Sequence, residues 1–190
     1  TTGHTGFGIP FATWPDRADV PRNAARPLRY LDRYVLVKQG EVFYITEALS
    51  VLEGIERGPA GNTSLTAAFA LAQEMDQDQI IVVQETEYTG AGKHPMPQLS
   101  FAKENGIDVL FGEPDEEIPG KNVILPSHPS KIKARDYDLN KARISYVKNC
   151  ITNNKVSEIS KEDLEFLIKD TKSDENFIRE ILTELNVNIK

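Results

Sequence analysis

The stretch most suited to chemistry is GPAGNTSLTAAFALA, Gly58 to Ala72. Small residues and hydroxyls make a tight turn that opens directly into a helical pattern. The first backbone N–H groups of such a helix lack intrahelical partners, and the macrodipole is positive there. An end of that kind can receive an anionic or electron-rich ligand atom. Asn62, Thr63 and Ser64 add side-chain donors beside it. The same residues would equally serve as an ordinary helix cap.

A second stretch, QETEYTGAGKHP, runs from Gln84 to Pro95, directly after the apolar run Ile80 to Val83. In open α/β sheets, ligands bind outside the carboxyl ends of strands. Glu85, Glu87, Tyr88, Lys93 and His94 would lie there, and Gly90 and Gly92 permit close backbone approach. A polar connecting loop would have the same composition. A third stretch is N-terminal: His4, Thr5, Gly6 and Gly8 form a glycine-rich turn, and Arg17, Arg22, Arg26, Arg29 and Arg33 follow closely. Arginine suits bidentate recognition of phosphate or carboxylate. Local pairing with Asp16, Asp19 and Asp32 is the simpler use of each.

Other chemistries find little support. His4, His94 and His128 are far apart, and no zinc-ligand spacing is present. There is no P-loop, no GxGxxG and no GxSxG. Cys150 falls on an apolar helical stripe and reads as packed rather than nucleophilic.

The elements that would position these residues alternate between strand and helix. Tyr34–Val37 reads as a short strand. Glu41–Ile55 reads as a helix with Val42, Ile45, Leu49 and Leu52 on one stripe. Gly58-Pro59 breaks it. A second helix, Thr63–Met75, carries Leu65, Ala68, Phe69 and Ala72 on one face. Ile80–Val83 (IIVV) reads as a fully buried strand of a parallel sheet. Pro97–Asn105 is a third helix, ended by Gly106 at C′, and Asp108–Phe111 is another strand. This alternation predicts an α/β layer, a parallel sheet with flanking helices.

From residue 131 the pattern is helical only. Leu139, Ala142, Tyr146, Val147 and Cys150 form one stripe, and Ser160 to Asp163 is a capping-box start. Ser173 is expected to cap a last helix carrying Phe177, Ile178, Ile181, Leu182 and Leu185. Charge changes at the same place. Residues 1–130 hold 10 Lys and Arg against 18 Asp and Glu, whereas 131–190 hold 12 against 11. Two regions are therefore expected: α/β from 1 to 130 and a helical extension from 131 to 190.

Composition narrows the class. With 190 residues, 39% hydrophobic and 27% charged, the chain is globular rather than disordered. Its longest apolar runs are too short to span a bilayer. One cysteine excludes a disulfide scaffold and suits a reducing cytoplasm. A net charge of -7 argues against a nucleic-acid-binding surface. The chain starts at Thr1, and the expectation is that a longer polypeptide continues upstream.

The order of strand, acidic helix ending in EGI, turn of small residues, alanine-rich helix and apolar strand resembles the C-terminal half of fold-type II pyridoxal-phosphate enzymes. That group includes the cysteine synthase, threonine synthase and serine racemase enzymes. The likeness runs through VLVKQGEVFYITEALSVLEGIERGPAGNTSLTAAFALAQE and IIVVQETEYTG, about residues 34–90. TTGHTGFGIPFATWPDRADVPRNAARPLRYLDRYV, GPAGNTSL and VVQETEYTGAGKHP are more similar to the thiolase beta subunits within it.

The resemblance implies pyridoxal phosphate as cofactor and coenzyme A as co-substrate. It implies cleavage of a 2-amino-4-keto acid to acetyl-CoA and alanine in ornithine degradation. It also implies an upstream N-terminal region of the same subunit, an alpha subunit and an oligomeric, cytoplasmic enzyme. The Schiff-base lysine and the glycine-rich phosphate loop are expected outside this chain, so the chain alone would be inactive and Lys93 is not that lysine. The group places a Ser or Thr at the third residue of the turn, where this chain has Ala60. Contact with the pyridine nitrogen would then fall to Asn62, Thr63 or Ser64. Thr86, Tyr88 and His94 are the candidate polar contacts to substrate. The arginine-rich segment would meet coenzyme A phosphates or the alpha subunit. Two alternatives stay open: another fold-type II lyase or synthase working by β-elimination or replacement, and a non-catalytic α/β interaction domain.

Overall fold

The computed structural model describes residues 28–84 and 95–190. They fall into two compact units, 35–136 and 28–34 with 137–190. Together they are mixed α/β, with six α-helices and three two-stranded ladders among the described residues.

In the α/β unit, strand β1 (Val35–Leu36) precedes helix α1 (Gln39–Glu53). Glu41, in the first turn of α1, accepts from the Lys38 amide at 2.6 Å. Gly54 ends the helix in the left-handed region at φ 67, its N–H on the Ser50 carbonyl. Helix α2 (Asn62–Ala72) grows from the Gly58-Pro59 turn. Helix α3 (Pro95–Glu104) closes as expected, with Gly106 at φ 77 and the Ile107 amide on the Ala102 carbonyl at 2.9 Å. Strands β2 (Asp108–Gly112) and β3 (Asn122–Pro126) are parallel, with Val109 opposite Val123 and Phe111 opposite Leu125. β4 (Arg135–Asp136) returns antiparallel to β1. Phe43, Leu99, Ala102, Ile107 and Val123 bury the seam of α1 and α3 against this pair.

Two interactions hold α1 on β3. Gly40 lies so close that an added Cβ would stand 1.8 Å from the Ile124 carbonyl oxygen. Glu117 fills the positive end of α1, accepting from the Gln39, Gly40 and Ile124 amides at 2.9, 2.9 and 3.1 Å. Burial raises the Glu117 carboxyl above its ordinary pKa, an effect that the amide bonds partly offset. On the other side of the turn, Glu41 is 0% exposed and takes both terminal nitrogens of Arg135, at 2.8 and 3.1 Å, plus the Lys133 amide. Arg135 also donates to Asp115 at 2.6 Å.

The helical unit contains α4 (Leu139–Asn153), β5 (Glu158–Ile159), α5 (Lys161–Thr171), α6 (Glu175–Glu184) and β6 (Asn188–Ile189). Its ends are well capped. Ser160 and Asp163 form the expected capping box. Asp174, not Ser173, caps α6, accepting from the Phe177 amide at 2.9 Å. Ser173 instead bonds the Thr171 hydroxyl at 2.6 Å. One continuous core joins Val147, Ile151, Leu164, Leu167, Ile178 and Leu182. The tail is not helical throughout, because β5 and β6 pair in parallel.

Three expectations need correction. Ile80–Val83 forms no ladder among the described residues and is not buried: Ile80 is 86% and Val82 92% exposed. Among the described residues the α/β unit therefore holds a parallel pair rather than a wider parallel sheet. On α2 the fully buried residues are Asn62, Thr66, Ala68 and Ala70; of the expected stripe, Leu65 and Phe69 are half-buried against Ile45, Ala70 and Ile132, and Ala72 is exposed. Thr66 and Thr46 bury easily because each hydroxyl donates to the carbonyl four residues earlier at 2.7 Å. β3 is an added element, its apolar run Val123–Leu125 being only three residues between Asn122 and Pro126.

Candidate functional site

The turn before α2 is built from backbone first. The Asn62 amide closes on the Gly58 carbonyl at 3.2 Å and the Thr63 amide on Ala60 at 3.4 Å. Those two N–H groups are already committed, so the helix end offers fewer open donors than its sequence suggests. The three candidate side chains then separate by burial.

Asn62 is 0% exposed. Its Nδ2 donates to Thr46 Oγ1 at 3.1 Å and, at the limit of 3.5 Å, to the Arg57 carbonyl. Thr46 in turn donates to Val42. This chain of bonds fastens α2 to α1. Asn62 Oδ1 is buried without a hydrogen-bond partner. An orphaned buried acceptor costs stability, about 1–3 kcal/mol, and marks a strained position. Thr63 is half-buried, its hydroxyl on the Pro59 carbonyl at 3.3 Å.

Ser64 is the residue that connects. Its Oγ lies 3.0 Å from the Gly61 carbonyl and 3.0 Å from the Gln84 carbonyl. A hydroxyl has one proton, so only one of these acceptors is served at a time and the group can reorient. Ser64 is half-buried, and its lone pairs remain available. Gln84 opens the second chemical stretch, so the structure brings the small-residue turn to the start of that loop. Thr86, Tyr88 and His94 lie outside the described residues.

These positions test the fit to pyridoxal phosphate. Ala60 has no hydroxyl to offer and Asn62 faces the helix seam. Ser64 can turn its hydroxyl from a carbonyl to a ring nitrogen, so the ring end has one matching donor. Beside the turn, the Arg57 guanidinium donates Nη1 to the Glu56 carbonyl at 3.1 Å. Along Leu65, Phe69 and Ala72 runs an open cavity of about 410 Å³, bounded on its far side by Met75 and Ile81. That face is apolar and can pack on an uncharged surface.

The arginine expectation is corrected for Arg29. Its Nε donates to Asp170 at 2.6 Å, Nη2 binds the same oxygen, and the guanidinium lies 5.8 and 5.7 Å from the Tyr30 and Phe166 rings. It is a structural ion pair in the helical unit, not an open phosphate ligand. Arg17, Arg22 and Arg26 lie outside the described residues. Tyr146 also donates to Asp170, and burial with this bond raises its pKa. Burial likewise raises the Cys150 thiol, which leaves it protonated at neutral pH. His128 caps a 3-10 turn through Ser130. Among the described residues no three His, Cys, Asp or Glu side chains converge as a metal site requires. No helix among them is long and apolar enough to cross a membrane.

The Glu41–Arg135 and Glu117 networks escape sequence reasoning, since their partners lie far along the chain. The only local signal is Glu41 in the first turn of α1.

Comparison with known proteins adds homologues. The chain is 64% identical over 185 residues to the 2-amino-4-ketopentanoate thiolase beta subunit of Acetoanaerobium sticklandii, covering 97% of this chain and 39% of that protein. It is 62% identical over 189 residues to another 2-amino-4-ketopentanoate thiolase beta subunit, from an unknown prokaryotic organism, covering 100% of this chain and 40% of that one. The chain thus spans about two fifths of the length of the curated relatives it matches. No protein-family model and no solved structure matches it.

Proposed function

We propose that this chain is the C-terminal part of a pyridoxal-phosphate-dependent thiolase beta subunit. The subunit would cleave 2-amino-4-ketopentanoate with coenzyme A to acetyl-CoA and alanine, in ornithine degradation and together with an alpha subunit. The observation that carries this reading is the 64% identity extending over 97% of the chain. The meeting of Ser64 with Gln84 supports it, since it joins the two stretches singled out for chemistry.

In this reading the thiolate of coenzyme A attacks the C4 carbonyl and the C3–C4 bond breaks. The acetyl group leaves as the thioester, and C3 takes a proton to give alanine. Pyridoxal phosphate, when bound, would draw electron density from the amino acid α-carbon. Ser64 would orient the ring by turning its hydroxyl from the Gln84 carbonyl to the pyridine nitrogen. Thr86, Tyr88 and His94 would supply polar contacts to substrate, and a donor must stabilise the developing oxyanion. The Schiff-base lysine and the phosphate loop would come from the rest of the subunit, so this chain alone would be inactive.

The test is a chimera in which this chain replaces the matching segment of the A. sticklandii subunit, assayed with the alpha subunit. Acetyl-CoA and alanine should form in equal amounts from coenzyme A and 2-amino-4-ketopentanoate. No turnover of 2-amino-4-ketopentanoate, with pyruvate and ammonia released from an alanine carrying a leaving group on its β-carbon such as O-acetylserine, would instead indicate a β-elimination enzyme. Ser64→Ala should weaken cofactor retention about tenfold, the loss of one hydrogen bond of about 1.4 kcal/mol. Unchanged retention and absorbance would remove Ser64 from the site.

A further inference from the structure

We infer that Ile80–Gln84 is an interior β-strand whose partner strand and outer cover are supplied by the rest of the longer subunit. The sequence run IIVV is apolar and β-branched throughout, the composition of a strand buried on both faces. In the structure its exposure alternates with a period of two. Ile81 and Val83 are half-buried, whereas Ile80, Val82 and Gln84 are exposed. A period of two is the exposure pattern of a strand, here with one face half-buried and the other bare.

The half-buried face turns toward α2, with Ile81 lining the same open cavity as Leu65, Phe69 and Ala72. The bare face holds Ile80 at 86% and Val82 at 92% exposure. Among the described residues no ladder pairs with this segment on either edge. An apolar, β-branched segment that no ladder pairs among the described residues is a template for strand addition. Of the twelve large apolar side chains left exposed among the described residues, ten lie in 35–136, so apolar exposure is concentrated in the unit that carries this segment.

The occupant follows from length. This chain spans 39% of the A. sticklandii relative, which leaves three fifths of such a subunit to cover the surface. A covalently continuous partner also binds at high effective concentration, which lets a single strand pair hold. The inference rests on the longer-subunit part of the proposed function and not on the thiolase chemistry, so the two can fail separately.

The experiment is hydrogen–deuterium exchange of the amides of 80–84 in this chain and in the chimera. Exchange in this chain should be fast. In the chimera it should slow by about a hundredfold or more, as for amides in a buried ladder. Equally fast exchange in a folded chimera would overturn the inference. So would slowing in this chain that depends on protein concentration, which means a second copy, or slowing only when the alpha subunit is added. The intact A. sticklandii subunit gives the same readout at the aligned segment should the chimera fail to fold. As a second readout, Val82→Asp should lower the thermal midpoint of the chimera by several degrees and leave that of this chain unchanged. An equal effect in both would also overturn the inference. Protection in a chimera without thiolase activity would retire the chemistry and keep the strand; activity with fast exchange would do the reverse.

Discussion

The two units differ in how completely they bury what they carry. The helical unit gathers Val147, Leu164, Leu167, Ile178, Ile181 and Leu182 in one large cluster beside a smaller one at Leu28 and Ala142, and among the described residues it leaves only Tyr30 and Phe166 of its large apolar side chains exposed. The α/β unit divides its core between separate small clusters. It leaves Val51, Leu52, Met96 and Phe111 exposed around an apolar groove of about 430 Å³ between α1, α3 and the strand pair. Helices close on each other through local side chains, whereas strands need neighbours from elsewhere in the chain. A strand pair therefore leaves apolar surface open where a set of helices closes on itself.

The contrast can be broken by mutation. The largest effect should come from Gly40→Ala, whose Cβ would meet the Ile124 carbonyl oxygen. It should cost the α/β unit about 4 kcal/mol by forcing α1 off β3. Urea unfolding followed by exchange of the α1 amides should show the loss there while α5 and α6 stay protected. Loss of protection in all three together would mean that the units fold as one.

Leu182→Ala should cost about 3 kcal/mol through the cavity it leaves in the closed helical core. The α1 amides should keep their protection. A loss below about 1 kcal/mol would show that this core is looser than its burial implies.

Asn62→Ala should cost only about 1 kcal/mol, because it removes the bond to Thr46 but also the orphaned Oδ1. A much larger loss, seen by thermal unfolding, would show that Oδ1 has a partner in solution.

The smallest effect is a pH dependence in the α/β unit. The Glu117 carboxyl is held above its ordinary value of 4.5 by burial, so the folded state binds that proton more tightly than the unfolded chain. Its contribution is full below 4.5 and is lost as pH rises through the raised value. The stability of wild type minus that of Glu117→Gln should therefore grow as pH falls from 7 toward 4.5, measured by urea unfolding. A difference flat across that window would show that the amide bonds fully offset burial.

Much of the fold was legible because its signals are local. The Gly106 stop, the Ser160–Asp163 box and the stripe of α4 each involve residues within a turn or two. Legibility failed where a residue could satisfy itself by more than one route. Ser173 and Asp174 are both good caps, and the choice went to Asp174 while Ser173 found Thr171. On α2, apolar content pointed to Leu65 and Phe69, yet Thr66 and Asn62 went inside because small side chains let α1 approach. For the site, the sequence marked Asn62, Thr63 and Ser64 together, and only burial separated a helix fastener from a mobile hydroxyl.

By itself the sequence determined the order of helices and most of their caps and stops. These depend on intrinsic preference and on neighbours a few residues away. The tertiary structure alone decided that Glu41 holds Arg135, that Glu117 caps α1, and that Ser64 reaches Gln84. It also decided that IIVV has one half-buried face and one bare face. Each of these depends on which distant segments meet, and a burial pattern is completed only when every segment that contributes to it is in place.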